Sequence, residues 1–108
     1  MPTRTGWAVC DQPPMVIGSA VIELDIPGNG SLKDKRRVVK SVIARLRQEY
    51  NVAAAEVDAH DQWERAVIAL VTVSTDAGHA HGLLEKAVAA VASWRLDCDL
   101  AGYEVEIW

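Results

Sequence analysis

The stretch Arg65-Ala66-Val67-Ile68-Ala69-Leu70-Val71-Thr72-Val73-Ser74-Thr75 decides the fold. Val67, Ala69, Val71 and Val73 share one face of it, and Ala66, Ile68, Leu70 and Thr72 share the other. Period-two alternation rich in β-branched residues marks a strand. Both faces are apolar, so the strand belongs at the centre of a sheet. Upstream, residues 60–64 interrupt the pattern and residues 52–59 alternate more weakly. The pair reads as a β-hairpin whose loop is longer than the tightest type or contains a bulge. Downstream, Ser74-Thr75-Asp76 supplies a helix N-cap. Ala80, Leu83, Leu84, Ala87, Val88 and Val91 then recur at helical spacing to about Trp94.

Outside this core the same two periods repeat. In residues 16–26, Val16, Gly18, Ala20, Ile22, Leu24 and Ile26 fall on one face, and Ile17, Ser19, Val21, Glu23 and Asp25 on the other. Pro27-Gly28-Asn29-Gly30 breaks this strand and Ser31 caps a helix over 32–50, with Val38, Val39, Val42, Ile43, Leu46 and Tyr50 as its apolar stripe. Residues 103–108 alternate again, with Tyr103, Val105 and Ile107 opposed to Glu104, Glu106 and Trp108. The order β-α-β-β-α-β predicts an α+β protein, the ferredoxin-like βαββαβ sandwich. In that arrangement a four-stranded antiparallel sheet in the order 4-1-3-2 carries two helices on one face and leaves the other open. Residues 15–108 form the expected single domain. Residues 1–14, with three of the four prolines and no periodicity, read as a flexible tail, and translation could start at Met1 or at Met15.

Composition excludes whole classes. A chain of 108 residues that is 50% hydrophobic is too apolar for intrinsic disorder, and a domain of this size buries roughly 65% of its extended-chain surface without a staple. No apolar run reaches the ~18 residues of a membrane span, and the first 14 residues lack the apolar core of a signal peptide. Cys10 and Cys98 do not make a disulfide framework. A reducing cytoplasm is the expected location.

The net charge of −4, from 11 Lys plus Arg against 15 Asp plus Glu, conceals a segregation. Lys33, Lys35, Arg36, Arg37, Lys40, Arg45 and Arg47 crowd into the first helix. At about 100° per residue, Lys33, Arg36, Arg37, Lys40 and Arg47 project within about 100° of one another, opposite Val42 and Leu46; Lys35 points partly inward. Such a face either solvates the helix, with Asp34 and Glu49 as partners, or meets a polyanion. Cations near a helix N-terminus oppose its dipole, which favours the second reading. The backbone of Gly28, Asn29, Gly30 and Ser31, at the helix start, is placed to receive a phosphate. In the assumed strand order Glu23, Asp25, Glu104 and Glu106 gather on the open sheet face, where carboxylates argue against RNA bases stacking.

Other candidates are weaker. The loop at Asn29 resembles the phosphate loop of acylphosphatases in position but holds no Arg, and it lacks the Gly-Lys-Ser/Thr of a Walker loop. Glu56, Asp58 and His60 share a strand face with Asp61 behind them, a weak oxygen and imidazole set for a metal. His79 and His81 are about 200° apart on a helix and cannot converge. Trp63 at the hairpin bend and Trp108 at the C-terminus are candidate interface residues, since large rings at such places either cap the core or anchor a partner. The edge strands also invite pairing between copies.

Met15 to Ile26 followed by Pro27-Gly28, then Ser31-Leu32-Lys33-Asp34-Lys35-Arg36-Arg37, resembles the YlxP-like family of small bacterial proteins. Ala55-Glu56-Val57-Asp58, Asp61-Gln62-Trp63, Arg65-Ala66 leading into the valine-rich strand, and Tyr103-Glu104-Val105-Glu106-Ile107 extend the likeness over residues 15–108. The resemblance implies a ferredoxin-like fold and no established biochemical activity. It also implies a neighbourhood of translation-initiation and ribosome-maturation factors, and so a place near the small ribosomal subunit or its RNA. The expectation is a non-catalytic cytoplasmic protein without cofactor or metal, binding RNA or ribosomal particles through its first helix. A homodimeric or regulatory interaction module and a small phosphate enzyme of acylphosphatase type are the alternatives.

Overall fold

The computed structural model describes residues 14–27, 30–94 and 96–108. The expected tail thus lies outside the described residues except for Pro14, and so do Gly28 and Asn29. The elements are β1 (Val16–Asp25), α1 (Leu32–Glu49), β2 (Ala53–Asp58), β3 (Arg65–Ser74), α2 (Ala77–Ser93) and β4 (Asp99–Ile107). One sheet orders its strands β2-β3-β1-β4, every neighbouring pair antiparallel. This is the ferredoxin-like arrangement, with β3 central as its two apolar faces demand. β4 begins at Asp99, four residues before the alternation becomes legible, because a register shift against β1 between Glu23 and Leu24 breaks the period there.

Each helix starts where the sequence offers a cap. The Ser31 side chain accepts from the Asp34 amide at 3.2 Å, and the Asp76 carboxylate accepts from the His79 amide at 2.7 Å. Both helices cover the sheet face made of Ala20, Ile22 and Leu24 of β1, Ala66, Ile68 and Leu70 of β3, and Ala54 of β2. Val39, Val42 and Leu46 of α1 and Leu84, Ala87, Val88 and Val91 of α2 complete the core. Gly18 stands where α2 packs over β1. A Cβ there would lie 2.9 Å from the Leu84 Cδ1 and 3.2 Å from the Ile107 Cδ1, so the strand carries no side chain at that point.

The apolar stripe of α1 contains one charge. Lys35 is fully buried (0% exposed). Its ammonium pairs with the Glu56 carboxylate of β2 and donates to the Ala59 carbonyl at 2.8 Å. Lys35 is therefore removed from the set of expected RNA contacts. Its projection into the stripe is decisive, because a buried ammonium persists only when paired and hydrogen-bonded. The Ala59 carbonyl also accepts from the Gln62 amide at 3.1 Å, and Ala59 itself adopts the left-handed conformation (φ 60°). One lysine thus fastens α1 to β2 and to the hairpin turn. The expected bulge is present too, as a register shift between Glu56 and Asp58.

Two stability outcomes follow from this packing. Gly18→Val should cost about 1–3 kcal/mol by overpacking against Leu84, read as a lower denaturant midpoint. Lys35→Met should cost about 3 kcal/mol by leaving the Glu56 carboxylate without its partner, and Lys35→Met/Glu56→Leu should recover most of that loss. A double variant no more stable than the single one would show that the pair is not the source.

Candidate nucleic-acid interface

With Lys35 turned inward, the opposite side of α1 is fixed towards solvent. Lys33, Arg36, Arg37, Lys40 and Arg47 are all exposed, as their projection predicts. They are not equally available. The Arg47 guanidinium donates to the Ala54 carbonyl at 2.6 Å, which lays that side chain along β2. Arg37 faces Asp34 at 3.9 Å across one turn, and both side chains remain at least half exposed. Lys33, Arg36 and Lys40 have no acidic partner among the described residues. Arg45, at the flank of the helix, is spent locally: it pairs with Glu49 at 2.6 Å and stacks over the Trp94 ring at 4.5 Å from its centroid. The open cationic set is Lys33, Arg36, Arg37 and Lys40, along about 10 Å of helix. No aromatic side chain lies among them, so the surface suits a backbone of phosphates rather than bases.

Gly30 and Ser31 are described and sit at the start of α1; the Ser31 hydroxyl is already engaged by the Asp34 amide. Gly28 and Asn29, the other half of the expected phosphate loop, lie outside the described residues. Between the first turns of α1 and the segment after α2 runs an open cleft of about 1000 Å³, lined by Pro27, Asp34, Arg37, Trp94, Asp97, Cys98 and Asp99 among others. Among the described residues that line it, three carboxylates stand against one guanidinium. Burial pushes the Cys98 thiol up from its usual range, and Asp99 and Asp97 push it further, so at neutral pH it is a thiol and not a nucleophile.

The remaining candidates separate. Glu56 points to the helix side and is bound to Lys35, whereas Asp58, beyond the bulge, is exposed on the other side. The expected common face of Glu56, Asp58 and His60 is therefore absent, and no group of three or more His, Cys, Asp or Glu converges among the described residues. His79 and His81 are both exposed, and His81 lies 3.8 Å from Glu85. Trp63 is half exposed at the hairpin bend. Trp108 is 72% exposed; its amide donates to the Ile17 carbonyl at 2.7 Å and its indole to the Ser19 hydroxyl at 3.0 Å, which lays the ring on the open sheet face.

The open face carries Glu23, Asp25, Glu104 and Glu106 as expected, but they do not fill it. Glu23 is paired with Arg65, and Glu104 and Glu106 sit on β4 at one edge. Its middle is apolar: Ile17, Val21, Val71 and Val73 are exposed there, with Ala53, Ala55 and Ala69 beside them. Sequence reasoning took the two apolar faces of β3 as a sign of central position alone. The same alternation also carried the signal that the open face is hydrophobic.

A family model described as "Protein of unknown function (DUF503)" matches residues 17–105. The "Uncharacterized protein YlxP" of Bacillus subtilis (strain 168) is 32% identical over 79 residues, covering 73% of this chain and 86% of that protein. The YlxP-like resemblance read from the sequence is thereby borne out. Among solved structures, the de novo designed protein Foldit4 superposes with a TM-score of 0.49 at 15% identity, over 87% of this chain and 96% of its own. A C-terminal segment of the alpha subunit of aIF2 from Pyrococcus abyssi gives 0.48 at 19% identity, over 87% and 49%. These two likenesses carry no argument about activity.

The thiol chemistry is open to direct measurement. In a Cys10→Ser background, Cys98 should alkylate more slowly at pH 8 than a small-molecule thiol, with its rate rising at a higher pH than theirs. An equal rate and an ordinary titration would contradict the environment described for Cys98.

Proposed function

This chain belongs to the DUF503 family of proteins of unknown function, and we propose that it is a non-catalytic cytoplasmic protein that binds RNA backbone, as on ribosomal particles, through the outer face of α1. The observation that carries the proposal is the unbalanced charge of that face. Lys33, Arg36 and Lys40 have no carboxylate partner among the described residues, and Arg37 keeps only a distant one. Solvation alone gives no reason to place four cations over the first turns of a helix, where they oppose its dipole. A chain of phosphates does: it supplies the missing negative charge and releases condensed counterions on binding. A helical face with no aromatic side chain between its cations supports backbone reading with little sequence preference. The half-buried free thiol of Cys98 fits a reducing compartment, and no helix among the described residues is long and apolar enough to cross a membrane.

Four phosphate contacts predict a log-log salt slope of about −3 to −4, or roughly a hundredfold loss of affinity between 50 and 200 mM salt. Arg36→Glu/Arg37→Glu/Lys40→Glu should abolish binding to purified small ribosomal subunits and to structured RNA while leaving the thermal midpoint near that of the unsubstituted chain. Arg45→Gln, which removes a cation already committed to Glu49 and Trp94, should change the slope little. Undiminished binding by the triple variant would overturn the assignment, as would a preference for DNA over RNA.

A further inference from the structure

We propose that the outer edge of β4 takes an added antiparallel strand from another protein, an extended segment in which Lys or Arg alternates with apolar residues. The ladder fixes which groups that edge offers. The Trp108 amide donates to the Ile17 carbonyl at 2.7 Å, and bonded levels of an antiparallel pair fall on every second residue. Glu106 opposite Ser19 and Glu104 opposite Val21 therefore bond inward to β1. Tyr103, Val105 and Ile107, at the alternate positions, turn their amides and carbonyls outward. Nothing among the described residues pairs with those groups.

The opposite edge of the sheet is treated differently. Carried across β1 and β3, the same alternation turns Ala54 and Glu56 of β2 outward. The Ala54 carbonyl accepts there from the Arg47 guanidinium at 2.6 Å, and the Glu56 carbonyl faces His60 Nε2 at 3.2 Å. Two side chains thus cover an edge of six residues that already contains a register shift. An edge closed in this way is protected against added strands. β4 is nine residues long and has no such cover among the described residues.

Charge selects the occupant. β4 contains Asp99, Glu104 and Glu106 and no Lys or Arg. Glu104 and Glu106 are exposed two residues apart on the open-face side, and neither has a cationic partner among the described residues. On the helix side Glu85 of α2 adds a carboxylate, which accepts from the Tyr103 hydroxyl at 3.0 Å and lies 3.8 Å from His81. A second copy is the wrong strand. Antiparallel pairing of β4 with itself about Val105, the register that engages all three outward residues, sets Glu104 opposite Glu106 twice. Like charges so placed are destabilising. A strand with Lys or Arg at those levels replaces both repulsions by attractions, and its apolar residues fall beside the partly exposed Tyr103, Val105 and Ile107. In strand addition the backbone bonds supply affinity and the alternating side chains supply specificity. α1 packs at the far edge, over β2, so the inference stands independently of what α1 binds.

The probe is a blocked heptapeptide of alternating Lys and Val, added to the isotope-labelled full chain. Amide exchange at Tyr103, Val105 and Ile107 should slow about tenfold at saturation, with Ala54 and Glu56 unchanged. N-methylation of the valines, whose amides face β4 in an antiparallel strand, should abolish binding, whereas N-methylation of the lysines should not. Glu104→Lys/Glu106→Lys, at two exposed positions, should lose the Lys-Val peptide and bind its Glu-Val counterpart instead. No slowing at any peptide concentration would overturn the proposal. Equal binding of the valine-methylated peptide would do so too, by reducing the effect to adhesion of charges. So would protection of the three amides in the chain alone, whether constant (cover by residues 1–13) or rising with its concentration (cover by a second copy).

Discussion

A single inward ammonium sets the geometry on which everything else rests. An amphipathic helix on a sheet can roll about its axis by tens of degrees at little cost when its stripe is uniformly apolar. The stripe of α1 is not uniform. Lys35 stands among Val39, Val42 and Leu46, and only one rotation brings it to both Glu56 and the Ala59 carbonyl. Any other would leave a buried charge unpaired, at a cost of several kcal/mol. Fixing Lys35 inward fixes Lys33, Arg36, Arg37 and Lys40 outward, and the same bonds tie down the turn that leads to Trp63.

Such a pair contributes more to uniqueness than to stability. Apolar residues of similar volume would hold the helix at least as well, but they would hold it at more than one rotation. For a protein whose outer helical face is its working surface, that distinction matters. A backbone of phosphates is met by several cations at once, and a roll of 40° would turn Arg36 or Arg37 away from the line of the others.

Most of the fold was legible because β1, β3 and both helices have unbroken periods and caps of the expected kind at Ser31 and Asp76. β4 was read short, since its register shift disrupts alternation before Tyr103. Much of the candidate site was legible as well: helical projection selected five outward cations, of which four are open and Arg47 is not. It could not settle Lys35, whose fate depends on Glu56, 21 residues away and reached only after the sheet has formed. Nor could it see that Arg45 is held by Trp94 and Arg47 by the Ala54 carbonyl. The acidic reading of the open face placed its four carboxylates correctly and was incomplete for a similar reason. Counting carboxylates on β1 and β4 omits the valines that β3 places on the other side of β1 and the Arg65 that neutralises Glu23.

The molecule is accordingly two-faced, cationic on the helix side and apolar with an acidic rim on the sheet side, with an inner layer of charge-locked packing between. The most direct test of the central claim is to titrate the isotope-labelled protein with structured RNA at low salt and follow each backbone amide by nuclear magnetic resonance. The account predicts shifts concentrated on residues 30–41 of the first loop and α1, fading as salt is raised, with Val21, Val71 and Glu104 unmoved. Shifts confined to the sheet face, or none anywhere under those conditions, would contradict it.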